Sequence, residues 1–129
     1  MATKANIKIK DFSETDIWTV QQTLDERWGK GKTELQMADV EVRLRSADRE
    51  LSTCPAIFWE YDSSNFVIFK IGRSTYKTQF YYRGFDQYGT AVPSFDNILD
   101  CVVTVLQVHA DLERERKLKE DKESKVDSK

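Results

Sequence analysis

The stretch from Cys54 to Arg83 constrains the fold of this chain more than any other, because it holds the densest run of aromatic and β-branched residues. Two turn signals interrupt it, at residues 62–65 and 72–74. Short segments of this composition, separated by turn residues, are typical of antiparallel strands joined by tight hairpins. The stretch predicts three consecutive strands, at residues 55–61, 66–71 and 75–83.

A fourth strand is predicted upstream, at residues 35–45, where apolar and charged residues alternate. Such alternation is typical of a strand with one buried and one solvated face. Leu35 and Met37 are in the opposite phase to the later apolar residues, and a bulge near Ala38 and Asp39 would reconcile them. A charged loop, residues 46–53, follows, and Pro55 suits the first position of the next strand.

One helix is predicted before the strands, at residues 14–28. Ser13 is a good N-cap, and Glu14 and Asp16 place negative charge at the positive end of the helix dipole. Gly29 is a suitable C-terminal cap. The apolar stripe of this helix consists of Ile17, Val20, Leu24 and Trp28.

A second, long helix is predicted at residues 95–112, after a loop at residues 84–92, with Ser94 or Asp96 near its cap. Its apolar residues cover more than one side, which is typical of a helix buried on two sides. Such a helix either lies in the middle of the core or offers one side to a second copy of the chain. The second alternative predicts a homodimer through helix 95–112.

Together these elements predict an α+β fold with the order α-β-β-β-β-α: an N-terminal helix, a four-stranded antiparallel meander and a long C-terminal helix. We expect residues 1–112 to form a single domain. Residues 1–11 either form a short edge segment or remain an arm. Residues 113–129 mix acidic and basic side chains with almost nothing apolar, and predict a charged helical extension followed by a disordered tail.

The predicted strand register divides the sheet into two faces. If Tyr61 lies opposite Phe66 and Ile71 lies opposite Tyr76, one face is almost wholly apolar and is expected to form the core, with Glu60 as an exception. This face carries Ala56, Phe58, Val67, Phe69, Ile71, Tyr76, Phe80 and Tyr82.

The other face is too apolar for an ordinary solvated surface. Either a helix covers it, or it is open and binds a partner, since large exposed apolar patches usually mark contact sites. Its candidate partner-binding residues are Ile57, Trp59, Tyr61, Phe66, Ile68, Lys70, Lys77, Tyr81 and Arg83.

No catalytic, cofactor or metal signature is recognisable in the sequence. The GKGK segment at residues 29–32 follows a helix, whereas a phosphate-binding loop precedes one. His109 is the only histidine, and Cys54 and Cys101 predict buried free thiols. We therefore expect a protein that is not an enzyme and uses no cofactor or metal.

Net charge and hydropathy limit the partners. The formal net charge of −2 disfavours nucleic acid, and no apolar run is long enough to span a membrane. A cytoplasmic location follows as the default. A protein-binding module, of adaptor or dedicated-chaperone type, suits an aromatic sheet face best. The alternatives are a single-stranded nucleic-acid-binding protein that uses the same face, and a structural subunit of a larger assembly.

Overall fold

The computed structural model of the protein describes residue 9 and residues 11–42, 52–82, 87–90 and 92–127. Several predicted features lie partly or wholly outside this range: the edge segment or arm at residues 1–11, the end of the strand at residues 35–45, most of the loop at 46–53, and the candidate residue Arg83. The elements are α1 (Glu14–Trp28), β1 (Gln36–Val42), β2 (Ser52–Tyr61), β3 (Ser64–Gly72), β4 (Thr75–Tyr82), β5 (Gln87–Gly89) and α2 (Ile98–Asp127).

The predicted fold class is confirmed: an N-terminal helix, an antiparallel meander and a long C-terminal helix. The strands form one sheet in the order β1-β2-β3-β4-β5, and each neighbouring pair is antiparallel. The short β5 lies within the segment that was predicted as a loop. Tyr88 accounts for this difference, because its ring stacks on that of Phe80 with the centroids 5.3 Å apart.

The first helix has the predicted bounds. The Ser13 side chain accepts a hydrogen bond from the backbone N–H of Asp16, and the Asp16 carboxylate accepts one from the Ser13 N–H, which completes a capping box. At the other end, Gly29 has a φ of 106° and donates its N–H to the Asp25 carbonyl. Val20 and Leu24 of the predicted stripe are fully buried.

The first two strands differ from the prediction in detail. Pairing is continuous from Gln36 opposite Phe58 to Val42 opposite Ser52, so the described part of β1 has no bulge. Met37 instead remains half exposed. Pro55 lies inside β2 rather than at its start, but pairing with β3 begins only at the following residue. The absence of an N–H group at Pro55 therefore removes no hydrogen bond between β2 and β3.

The first hairpin is tighter than predicted. Its turn consists of Asp62 and Ser63 alone, whose φ angles of 50° and 67° are those of a type I′ turn. Tyr61 therefore lies opposite Ser64, and Trp59 lies opposite Phe66. This register differs from the predicted one by two residues, and a shift of two residues leaves each side chain on its original face.

The second hairpin exchanges the two faces of β4. The β3–β4 register shifts between Lys70 and Gly72, so Phe66, rather than Val67, lies opposite Phe80. A shift of one residue moves every side chain of the strand to the other face. The face that carries Ile57, Trp59, Tyr61, Phe66, Ile68 and Lys70 therefore also carries Tyr76, Thr78, Phe80 and Tyr82.

Both helices pack on this face, which we call the inner face. The core joins its apolar residues to Val20 and Leu24 of α1 and to a stripe of α2. The prediction that assigned the core to the opposite face is wrong for β2 and β3, whereas Tyr76 and Phe80 of β4 lie in the core as predicted. The helices cover the face of Trp59. The outer face carries Ala56, Phe58, Glu60, Val67, Phe69, Lys77, Gln79 and Tyr81.

The second helix starts later than predicted because of the sheet. Phe95 exchanges two backbone hydrogen bonds with Tyr76, of 2.8 and 2.7 Å, and is therefore held as an extra bridge beside β4. Asn97, rather than Ser94 or Asp96, caps α2, since its side-chain oxygen accepts from the N–H groups of Leu99 and Asp100. The helix then runs to Asp127, farther than the packed part predicted at residues 95–112.

The core-facing side of α2 accounts for most of its apolar residues. Cys101, Val102 and Val105 are fully buried, whereas Leu99 and Val103 are about half exposed. The homodimer through helix 95–112 stays a prediction, and within the described part of that helix it now rests mainly on these two exposed side chains.

Candidate binding cleft

A cleft of about 810 Å³ lies where the end of α1, the β2–β3 turn, the end of β4 and the middle of α2 meet. Volumes of this size are typical of ligand-binding sites. The cleft is lined mainly by three aromatic, four basic and two acidic side chains and by one histidine. They are Trp28, Tyr61, Tyr82, His109, Arg27, Arg114, Arg116, Lys117, Asp62 and Glu113.

One wall of the cleft is a stacked aromatic pair. The rings of Trp28 and Tyr61 are nearly parallel, at 6°, with their centroids 4.1 Å apart. Trp28 is the last residue of α1 and Tyr61 is the last residue of β2, so the stack joins the ends of two elements. Such rings offer a large contact area at a low cost in side-chain entropy.

His109, which lines the floor of the cleft, forms a buried pair with Ser64. Ser64 Oγ lies 2.8 Å from His109 Nε2, and the two residues are 1% and 8% exposed. The rings of Phe66 and Phe80 meet the imidazole edge-on, with centroids 4.9 and 5.2 Å away. Burial lowers the pKa of His109 from its usual value, although Glu113 and Asp62 oppose that shift. Burial, the largest of these effects, therefore favours the neutral form of His109.

A second polar group, formed by Tyr82, Glu113 and Arg116, links β4 to α2. The Tyr82 hydroxyl donates a hydrogen bond to the Glu113 carboxylate, and the Arg116 guanidinium lies 4.3 Å above the centre of the Tyr82 ring. Burial, and then the bond to Glu113, raises the pKa of Tyr82 to about 12. These contacts fix the orientation of all three side chains at the edge of the cleft.

Positive charge predominates in the cleft. Arg27, Arg114, Arg116 and Lys117 contribute four basic groups, against the two acidic groups of Asp62 and Glu113. Asp111 pairs with Arg114 at 3.1 Å, so the excess over the lining and this partner is one positive charge, which contrasts with the net charge of −2 of the whole chain. The cleft is therefore a cationic site on an acidic protein, with Arg27 supplied by α1 and the other three cations by α2.

The structure does not bring the predicted partner-binding residues together on one exposed surface. Ile57, Trp59, Phe66 and Ile68 are at most 3% exposed, because both helices cover them. Buried side chains of this kind cannot act as anchors for a partner without unfolding. Of the predicted aromatic residues, only Tyr61 reaches the cleft.

The basic residues that were predicted to bind a partner also lie apart from one another. Lys70 is buried on the inner face, where its ammonium group donates a hydrogen bond of 2.8 Å to the backbone carbonyl of Asp11. Lys77 is exposed and Tyr81 is half-buried, and both lie on the outer face because of the shifted register of β4. Arg83 lies outside the described residues.

Sequence reasoning missed the part of the cleft that α2 supplies because it treated the segment after residue 112 as a charged helical extension and a disordered tail without a site. One signal was present. His109, Glu113 and Arg116 are spaced i, i+4 and i+7, which places them on one face of a helix. From this spacing, the sequence could have predicted that the apolar stripe of the second helix continues as a polar stripe with a functional role.

Other kinds of site have little support in the described part of the chain. Among the described residues, no group of three histidine, cysteine, aspartate or glutamate side chains is arranged to hold a metal ion. No helix within the described ranges is both long enough and apolar enough to cross a membrane. Cys54 and Cys101 are buried free thiols, as predicted, and burial raises the pKa of Cys101 to about 12.

Comparison of the chain with protein-family models, with curated proteins and with solved structures gave no match, so the cleft is interpreted from its own geometry.

Proposed function

We propose that this protein is a non-enzymatic protein-binding module, of adaptor or chaperone type, that captures an acidic segment of a partner protein in the cleft. The observation that supports this proposal most directly is the excess of positive charge beside the stacked Trp28–Tyr61 pair. Cations select an acidic partner and accelerate its encounter, while aromatic side chains supply contact area. The segment that fits best carries several carboxylates and one aromatic or large apolar side chain.

The cleft also favours binding over catalysis. Ser64 and His109 have the spacing of a nucleophile and its base, but the serine hydroxyl is enclosed by the core and is only 1% exposed. A nucleophile must reach its substrate. Tyr82 is engaged by Glu113, and its raised pKa keeps it protonated near neutral pH. The polar groups of the cleft therefore suit a rigid recognition surface.

A polypeptide suits this cleft better than single-stranded nucleic acid does. Asp62 and Glu113 place two carboxylates among the cations. A nucleic-acid strand carries one phosphate per nucleotide and would meet these carboxylates as well as the acidic remainder of the chain. A peptide can space its acidic side chains to avoid them. The oligonucleotide alternative is retained as one outcome of the test below.

The test is a titration followed by fluorescence anisotropy. The probe is a labelled peptide of alternating aspartate and serine around one phenylalanine, and the control peptide carries lysine in place of aspartate. We expect the acidic peptide alone to bind, with an affinity that falls as salt is added. The double variant Arg27→Glu/Lys117→Glu is expected to weaken binding roughly tenfold or more, about 1.4 kcal/mol or above.

The matched control is Lys77→Glu, which reverses one exposed charge on the outer face and should leave the affinity within about twofold. An equal loss in Lys77→Glu would show that net charge, rather than the cleft, governs binding. Absence of binding at low salt would contradict the proposal. Tighter binding of a labelled single-stranded oligonucleotide than of the acidic peptide would favour the nucleic-acid alternative.

A further inference from the structure

We infer that capture of the acidic segment is coupled to protonation of His109, so that the segment binds more tightly as the solution becomes more acidic. This inference rests on the proposed function, because it concerns the regulation of the same cleft. The coupling follows from the position of the imidazole in the floor of the cleft, between the core and the bound segment.

The Ser64–His109 contact is compatible with both charge states. The neutral imidazole accepts a hydrogen bond from the serine hydroxyl at Nε2, whereas the imidazolium donates to the serine oxygen from the same atom. The 2.8 Å distance suits either direction. A proton therefore adds charge to the floor of the cleft without removing the hydrogen bond that orients the ring.

Charged groups of both signs surround the imidazole. Arg27 faces it from α1, Asp62 from the β2–β3 turn, and Glu113 from the next turn of α2. Tyr82 of β4 is near the ring and is protonated at neutral pH, and Arg116 lies over that tyrosine. The carboxylates of Asp62 and Glu113 favour the charged imidazole, and Arg27 opposes it. Burial is the largest effect and favours the neutral form.

A bound acidic segment changes this balance. Its carboxylates add negative charge at the open side of the imidazole and neutralise the nearby cations, and both effects favour the imidazolium. Binding of the segment therefore raises the pKa of His109. By thermodynamic reciprocity, protonation of His109 must then strengthen binding of the segment by the same factor. A rise of one pH unit in the pKa corresponds to roughly a tenfold gain in affinity.

The chain offers a direct measurement, because His109 is its only histidine. The C2–H proton of its ring gives one histidine signal in a proton NMR spectrum. We would titrate that signal from about pH 8 to about pH 5, with and without a saturating excess of the aspartate peptide. Aspartate has an ordinary pKa near 3.9, so the peptide stays largely ionised over that range. We expect the midpoint to lie at a higher pH in the complex.

The second measurement compares peptide affinity over the same range in the native protein and in the variant His109→Gln. Glutamine keeps a hydrogen-bonding group near Ser64 but does not titrate. We expect the native affinity to rise roughly tenfold on acidification and the variant affinity to change little. If the variant does not fold, the NMR titration of the native protein still decides the matter.

The outcomes separate the two claims. Peptide binding with the same His109 midpoint in the free and bound protein, or an equal pH dependence in His109→Gln, overturns the coupling and leaves the binding function standing. Absence of peptide binding at every pH contradicts the binding function and the coupling together.

Discussion

At the scale of single residues, Trp59 shows how burial determines the role of a side chain. Its indole is 3% exposed and stacks on Phe66 with the ring centroids 5.2 Å apart. The indole nitrogen has no hydrogen-bond partner within the part of the chain that the structure describes. The residue therefore contributes apolar area to the core, while its N–H group reduces that contribution.

Truncation of this side chain is expected to affect stability rather than binding. Trp59→Ala should lower the free energy of unfolding by about 3–5 kcal/mol, the usual cost of removing a large buried aromatic group. Trp59→Phe should cost clearly less, because it also removes the unpaired N–H. Urea denaturation followed by circular dichroism measures both. Tyr81→Ala on the outer face is the control, expected to cost about 1 kcal/mol, and an equal cost at both sites would contradict the assignment of the faces.

Two tyrosines predict a delayed alkaline titration. Burial is the main cause that raises the pKa of Tyr76 and of Tyr82 to about 12, and hydrogen bonds to Asp16 and Glu113 add to it. Because the unfolded chain loses these protons near pH 10, the stability they contribute is complete below that pH and is lost as the pH rises toward 12.

The measurement for these residues is the ultraviolet absorbance of tyrosinate. Part of the signal from the five tyrosines should appear only near pH 12 in the folded protein. Tyr82→Phe should remove about half of that late part, since Tyr76 supplies the rest. A single transition near pH 10 in the folded protein would show that the hydroxyl groups of Tyr76 and Tyr82 are not buried and hydrogen-bonded as described.

At the scale of elements, the hairpin turns decide which side chains meet. The β2–β3 turn holds Asp62 and Ser63 at positive φ, a conformation that costs a residue with a Cβ about 1 kcal/mol. That tight turn places Tyr61 at the cleft and Ser64 against His109. The next hairpin, with its shifted register, then directs Phe80 and Tyr82 toward the same side.

Replacement of Ser63 by glycine tests the turn geometry. Ser63→Gly should raise the free energy of unfolding by about 0.5–1 kcal/mol, because glycine adopts positive φ without strain. Ser74→Gly is the matched control in the other hairpin, where the described serine has no positive φ. It should be neutral or slightly destabilising in thermal unfolding. Stabilisation by both substitutions to the same extent would argue against a type I′ turn at residue 63.

The same elements show what the sequence could and could not predict. The first helix is specified locally by Ser13, Asp16 and Gly29, and its predicted bounds are correct. The faces of β4 depend on one extra residue between Lys70 and Gly72, which no local pattern signals. Phe95 is held by the sheet, so the start of α2 depends on a tertiary contact. The cleft was missed for a similar reason, since its residues come from four separate elements.

At the scale of the whole molecule, the fold separates charge. The two helices bury the aromatic face of the sheet that the sequence predicted as the partner-binding surface. They leave a cationic cleft at one end of the sheet. An acidic chain that concentrates positive charge beside stacked aromatic rings has a defined direction for electrostatic steering. Under the proposed function, binding specificity therefore depends on where α1 and α2 bring their charged residues.

The most direct test of this account uses the three tryptophans as reporters. Each indole N–H gives a separate cross-peak in a nitrogen–proton correlation spectrum, and the three residues lie in different places: Trp28 in the cleft, Trp59 in the core and Trp18 on the exposed side of α1. Trp18→Phe, an exposed substitution, assigns its own peak. On titration with the aspartate peptide, we predict that the Trp28 signal moves while the Trp18 and Trp59 signals stay in place. Movement of the Trp18 or Trp59 signal with an unchanged Trp28 signal would contradict the cleft as the binding site.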